Sequence, residues 1–278
     1  LLATRVVVTC VIAFISSIAS LTSVSVASCA IRGEVSAPYD TVNVPAVLEA
    51  VFVKAIDCTS SVPLFLYHST LYFSIGDRGN RNVYPQNINL DGGKIYRIHD
   101  DGKIPSDNPF FNDNDAKKAI YSYGHRNPQG MFKHPESGKI WTNEHGPRGG
   151  DEINIIKKGK NYGWPKITYG INYSGTTITK NKSLPGMEQP LYYWVPSIAP
   201  SSFEYISSDI YPDWKGSLLS GALVYKFVER TKLKNNKVVL RTKIAEKLGR
   251  PRDIKQGPDG YIYVAIETKG IYKILPKK

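Results

Sequence analysis

Cysteine is scarce in this chain. Its 278 residues hold three, Cys10, Cys29 and Cys58, and no pair has the spacing of a metal site. The odd count leaves at least one thiol unpaired, so cysteine carries no chemistry here. A block of positive charge is missing as well. Lys and Arg outnumber Asp and Glu by 36 to 24, a formal net charge of +12, yet they are spread along the chain among apolar residues. No nucleic-acid motif accompanies them, so the charge reads as a basic surface or an anionic ligand rather than a nucleic-acid partner. Helical periodicity is also absent after residue 68, apart from one turn expected at 113–119. What is present is an 11% aromatic share with 18 tyrosines and 22% charged residues, the composition of a folded protein and not of a disordered tail.

In chain order, residues 1–28 carry Arg5, then an apolar run grading into small residues, the layout of an export signal. The competing readings are a buried apolar element or a membrane anchor. Val26-Ala27-Ser28-Cys29 resembles a lipoprotein cleavage box and makes Cys29 a candidate for a lipid anchor. On the export reading the protein is periplasmic, secreted or held at the outer surface, with no stable membrane span in the mature chain. Residues 29–67 have no motif and no clear period, and stand as an unassigned and potentially aberrant segment. From residue 68 to 278 a loose repeat of turn, strand, loop, strand begins. Leu71–Ile75, Lys94–Ile98, Glu152–Ile156, Tyr261–Ile266 and Ile271–Leu275 read as strands bounded by turn residues. Self-similarity over tens of residues fits the four-stranded blades of a propeller. The expectation is all-β, with about four blades recognisable.

The densest stretch is Tyr121–Pro165, where His, Arg, Asn, Glu and Asp alternate with glycines. A packed core has no use for that mixture, whereas a loop-built ligand site does. Arg126 and Asn127 set a guanidinium beside a carboxamide, or else tie down their own loop. Glu144-His145-Gly146-Pro147-Arg148-Gly149-Gly150-Asp151-Glu152 offers carbonyls and carboxylates suited to a hard cation such as calcium, or is a solvated acidic turn. Arg250 and Arg252 alternate, so both face one side of an extended segment and suit a polycarboxylate; the plainer reading pairs Arg252 with Asp253. Asp77, in the turn Gly76-Asp77-Arg78-Gly79, is placed to orient a histidine or simply to close its turn. On a propeller, five polar loops meet around the central channel: GDRGNR, GHRNPQG, EHGPRGGDE, YYWVPSIAPSS and GRPRD.

Taken in this order, IGDRGN, IYSYGHRNPQG, EHGPRGGDEIN, GKNYGWP, PGMEQPLYYWVPSIAPS and GRPRD resemble the soluble glucose/sorbosone dehydrogenase family, most nearly its periplasmic aldose sugar dehydrogenases. The resemblance covers roughly residues 69–278. It implies a six-bladed β-propeller that holds pyrroloquinoline quinone (PQQ) and calcium in its central channel. It further implies oxidation of aldose sugars to lactones, with a histidine base and a soluble electron acceptor. Carried over by motif, Arg126, Asn127, Tyr173, Ala222, Leu223, Arg250 and Arg252 become PQQ contacts. Gly146 and Pro147 become carbonyl ligands of the calcium beside PQQ, and Glu152 and Tyr162 ligands of a structural calcium. Asp77 becomes the acid that pairs with the catalytic histidine.

The chain departs from the family pattern at two points. Cys58 stands where the base is expected, and the string that carries that histidine is absent. His68, nine residues from Asp77, is a poor substitute, and His125 and His145 do not match it. Gly221-Ala222-Leu223 is followed by Val224 where the family places a lysine, with Lys226 two positions further on. The expectation is a truncated or frame-disrupted copy with reduced or no activity, against the competing account of a divergent protein that closes its propeller differently. The alternative is a non-catalytic propeller that binds a carbohydrate or a protein.

Overall fold

The structure, a computed structural model, describes residues 64–67 and 69–276, with side chains placed from residue 69. The export segment, the lipid-anchor candidate Cys29, Cys58 and His68 lie outside the described residues. Fifteen strands and no helix are found among those that are described. The first sheet is β1 (Leu64–Tyr67), β2 (Thr70–Ile75), β3 (Lys94–His99) and β4 (Ile120–Tyr123). The second is β5 (Pro128–Lys133), β6 (Ile140–Glu144), β7 (Asp151–Ile156) and β8 (Tyr192–Trp194). The third is β9 (Pro200–Tyr205), β10 (Leu218–Ala222), β11 (Phe227–Lys234) and β12 (Lys237–Ile244). The fourth is β13 (Pro251–Gln256), β14 (Ile262–Ile266) and β15 (Gly270–Ile274). In every sheet the strands pair antiparallel with their neighbours in sequence, the meander of a propeller blade. The expected turn at 113–119 is a run of turns and no helix.

The first strand of each sheet neighbours the first strand of the next: β1 meets β5, β5 meets β9, and β9 meets β13. That radial succession needs close backbone approach. Gly130 in β5 supplies it, since a Cβ there would stand 2.4 Å from the Phe203 amide of β9. Apolar side chains between successive sheets then fill the core. Phe132 and Trp141 of the second sheet pack with Phe203 and Leu218 of the third, and Leu219 and Val228 of the third with Ile254 and Val264 of the fourth.

Because blades repeat the same meander, loops alternate between two ends of the molecule. The residues after β2, β4, β6 and β10 and those before β5, β7, β9 and β13 gather at one end. All five polar loops singled out in the sequence lie there.

Candidate functional site

The five loops are stitched together in order around this face. The Asp77 amide donates to the Arg126 carbonyl at 2.7 Å, and the His145 amide to the Asn127 carbonyl at 3.0 Å. The Arg126 amide donates to Glu144 Oε2 at 2.8 Å, and Arg126 Nη1 to the His145 carbonyl at 3.0 Å. Asp151 then ties the third loop to the fourth. Its carboxylate accepts from the Gly146 amide (2.8 Å), the Ser197 hydroxyl (2.7 Å), the Ile198 amide (2.7 Å) and the Ala199 amide (2.9 Å). Ser202 Oγ donates to Asp253 at 2.8 Å and so joins the fourth loop to the fifth.

Strand alternation separates two adjacent acids. Asp151 faces inward and is consumed by the knot just described. Glu152, paired across the ladder with Tyr193, instead lines a small cavity with Gly146, Tyr162, Glu144, His145, Arg126 and Trp164. A polar chain runs behind the cavity and ends on its two acids, Glu144 and Glu152. Ser122 Oγ lies 2.9 Å from His125 Nε2, and His125 Nδ1 lies 3.1 Å from Glu144 Oε1. Asn154 Nδ2 donates to Glu144 at 2.8 Å and to Glu152 at 3.0 Å. Burial works against both acids, and neighbours split them. The His125 ring and three hydrogen bonds hold Glu144 below the usual carboxylate range. Burial and the adjacent Glu144 charge push Glu152 up to about 8. Burial and the Arg126 guanidinium push His145 down to about 4, so it is a neutral imidazole near neutrality, and its Nε2 has no partner among the described residues.

The donor set suits a hard cation. No hydrogen bond among the described residues uses the carbonyl oxygens of Gly146, Pro147 or Tyr162, and calcium takes such oxygens together with carboxylates. Gly146 has to be glycine, because a Cβ would stand 2.3 Å from the Gly149 carbonyl oxygen. Burial and the Glu144 charge keep the Glu152 carboxyl protonated near neutrality. No group of three or more His, Cys, Asp or Glu able to hold a metal occurs among the described residues, so any cation here depends on backbone carbonyls.

The cationic side chains for an anionic ligand sit in two places. Arg126 and Arg81 lie over the Trp164 ring at 5.6 and 6.0 Å. Arg250 and Arg252 do share one side, as their alternation suggested, and both reach Glu267, Arg250 at 3.4 Å. Their partner is therefore Glu267, and Asp253 accepts from Ser202 instead. Asn127 lies over Gly76, where its Oδ1 would be 2.6 Å from an added Cβ. Ala222 and Leu223 are buried and anchored to the fourth loop by the bond from the Leu223 amide to the Ala199 carbonyl. Tyr173 is 72% exposed, in a segment tied to the first loop by Arg81 Nη1 donating to Asn172 Oδ1 at 2.7 Å.

Among the described residues, Asp77 meets no histidine. It accepts from its own turn, Gly79 N at 3.0 Å, and from Trp164 Nε1 at 2.8 Å. Trp164 is the residue that sequence reading passed over: it bridges Asp77 and two arginines from a position 87 residues away. The string GKNYGWP was visible, but nothing local says what its tryptophan meets.

Comparison with known proteins agrees with this geometry. A family model described as Glucose / Sorbosone dehydrogenase matches residues 53–273. Aldose sugar dehydrogenase YliI of Escherichia coli (strain K12) is 45% identical over 212 residues, covering 74% of this chain and 57% of that protein. A crystal structure of a glucose dehydrogenase superposes with a TM-score of 0.74 at 39% identity, over 78% of this chain and 64% of that one. The PQQ-bound form of the aldose sugar dehydrogenase of Streptomyces coelicolor gives a TM-score of 0.57 at 27% identity, over 72% and 54% of the two chains. This chain thus spans little more than half the length of the relatives it matches. Its fold is the β-propeller of those enzymes, and the chain belongs to the glucose/sorbosone dehydrogenase family.

Proposed function

We propose that the loop face of this chain is the cofactor cradle of a PQQ- and calcium-dependent oxidation of aldose sugars to lactones. The observation that carries the proposal is the joint placement of free carbonyls at Gly146 and Pro147 with the Arg126 guanidinium, on five loops that hydrogen bonds join one to the next. The three carboxylates of PQQ suit Arg126, Arg250 and Arg252, because guanidinium forks match carboxylates. Asn127 and the Trp164 ring border the same space. Gly146 and Pro147 hold one calcium, and Glu152 with the Tyr162 carbonyl holds a second. When bound, PQQ supplies the hydride acceptor and calcium the Lewis acid.

The chain's own residues bind and orient, and none of those described is assigned as the proton acceptor. His125 is locked between Ser122 and Glu144, and His145 is a neutral imidazole turned towards the Pro200 carbonyl. A general base has to reach the sugar hydroxyl within hydrogen-bond distance, and Asp77, which the resemblance pairs with that base, is occupied by Trp164. This favours a second reading, a propeller that binds a carbohydrate or a protein without turning it over. On the export reading of residues 1–28 the setting is the periplasm or outer surface, with a soluble electron acceptor.

The deciding experiment titrates the purified chain with PQQ, with and without calcium, and then adds glucose and a redox dye. Calcium-dependent PQQ binding that weakens at least tenfold in Arg126→Ala supports the cradle, and absence of binding overturns it. Dye reduction at rates typical of such enzymes would overturn the expectation of weak or no turnover.

A further inference from the structure

Five cationic side chains and no acidic one line a second cavity of about 540 Å³, where Tyr121 is the single lining residue that belongs to the family strings. It lies between the first and second sheets, at the end of the blades opposite the loop face. Thr70 begins β2, Lys133 ends β5, Ile140 begins β6 and Ile156 ends β7, each at the far end of its strand from Asp77, Arg126 or Gly146. Ile140 and Ile156 form an apolar floor, and Tyr72 and Tyr121 pack against the same core cluster. The two tyrosine rings meet edge to face at 5.2 Å, and their hydroxyls are hydrogen-bonded. Both lose their protons only well above neutrality, because they are buried.

The cations are Arg97, Lys133, Lys139, Lys157 and Lys158. Asp107, at the rim, takes Arg97 at 2.8 Å and reaches Lys158 at 3.8 Å, and Glu188 takes Lys157 at 2.6 Å. Lys139 has no acidic partner among the described residues. Arg97 lies 5.9 Å from the Tyr72 ring, and its Nε is a buried donor without an acceptor among the described residues. An unpaired buried donor costs stability until something accepts from it. Like charges gathered in a recess repel more strongly than the same charges spread over a surface, because a recess focuses the field. A generally basic surface explains scattered lysines. It does not explain a half-open recess with an apolar floor, tyrosine hydroxyls and an orphaned guanidinium nitrogen.

We infer that this inter-blade cleft is a binding site for a small organic polyanion, a molecule with phosphate or several carboxylate groups on a compact carbon skeleton. The volume falls in the range of small-ligand sites. The oxyanions meet Arg97, Lys139 and Lys158, and the skeleton rests on Ile140 and Ile156.

The test is calorimetric titration of the full chain with inorganic pyrophosphate and, separately, with citrate, at low and at 0.15 M salt. Saturable binding of at least one of them is expected, the tighter of the two naming phosphate or carboxylate as the recognised group. In K139E/K158E affinity should fall at least about tenfold, equivalent to about 1.4 kcal/mol, with the melting temperature of the free protein unchanged. K234E/K247E, which makes the same change of net charge on exposed lysines at the edge of the third sheet and beyond it, should bind as the parent does. Absence of saturable binding, undiminished affinity in K139E/K158E, or an equal loss in K234E/K247E would each overturn the inference. The experiment needs neither quinone nor sugar, so it stands whether or not the loop face binds PQQ.

Discussion

The indole of Trp164 donates its Nε1 hydrogen to Asp77 Oδ2 at 2.8 Å, joining the turn after the first sheet's second strand to the long segment between β7 and β8. The same ring lies under Arg81 and Arg126. One side chain therefore fixes an acid and two cations of the loop face. Trp164→Phe keeps most of the ring and removes the donor. Hydrogen bonds to charged groups contribute about 1.5–3 kcal/mol, so the variant should lose about 1.5 kcal/mol in urea unfolding and bind PQQ more weakly. Unchanged stability would mean that the bond is solvent-compensated.

Asp151 is the knot between the third and fourth loops, fully buried with four donors on its two oxygens. Asp151→Asn replaces one oxygen by an amino group that faces N–H groups instead of accepting from them. We expect a loss of about 3 kcal/mol, within the range for breaking a buried charged network, and a fall in PQQ affinity larger than the fall in stability alone explains. A variant as stable as the parent would show that the loops are held by packing instead.

Much of this fold was legible because its signals are local. Gly138 before Ile140, and Asp259-Gly260 before Ile262, mark turns that enter strands, and the alternation in Leu71–Ile75 sends Leu71, Phe73 and Ile75 into one core cluster. Strands β1, β4, β5, β8, β9, β11 and β12 were not read, and for β11 and β12 the reason is physical. β12 is mostly exposed, and β11 carries Glu229 and Arg230 where a local reading expects apolar residues; Arg241 of β12 pairs Glu229 at 2.6 Å, which only the register of the two strands reveals. The site shows the same division. Its loops were identified by composition and by family motif, but the choice between Asp151 and Glu152 depends on which face of β7 is turned to Ser197. The partner of Asp77 lies 87 residues away in the chain.

Glu152 carries a prediction about calcium. Burial and the Glu144 charge raise its proton affinity to a pKa of about 8, so near pH 7 the metal-free carboxyl holds a proton that a cation has to displace. Calcium binding at pH 7 should release roughly one proton, seen as a dependence of the titration heat on the buffer's ionisation enthalpy. Calcium in the millimolar range should raise the melting temperature of the parent by more than that of Glu152→Gln, which keeps only the Gly146 and Pro147 site. If the glutamine variant gains as much from calcium as the parent, the cation binds elsewhere.

Lys94 is wholly buried beneath the loop face, with Nζ donating to the Tyr84 carbonyl at 2.5 Å and the Gly92 carbonyl at 2.7 Å. A neutral amine has two N–H donors, enough for both carbonyls, and burial pulls the ammonium down to a pKa of about 7. In the unfolded chain the group titrates near its ordinary 10.5. Below about pH 7 both states are charged and the folded protein bears the full burial penalty. Between pH 7 and 10.5 the unfolded chain holds a proton that the folded chain has released, so stability rises with pH, by at most about 1.4 kcal/mol per unit. Lys94→Met strips the carbonyls of their donors and should cost about 2–4 kcal/mol, while flattening the pH dependence between 7 and 9.5. That window stops short of the buried tyrosines, whose raised pKa values reverse the slope at higher pH. Chemical unfolding of both proteins across the window is the measurement. Parallel curves would mean that Lys94 keeps its charge on burial, with the two carbonyls stabilising an ammonium rather than an amine.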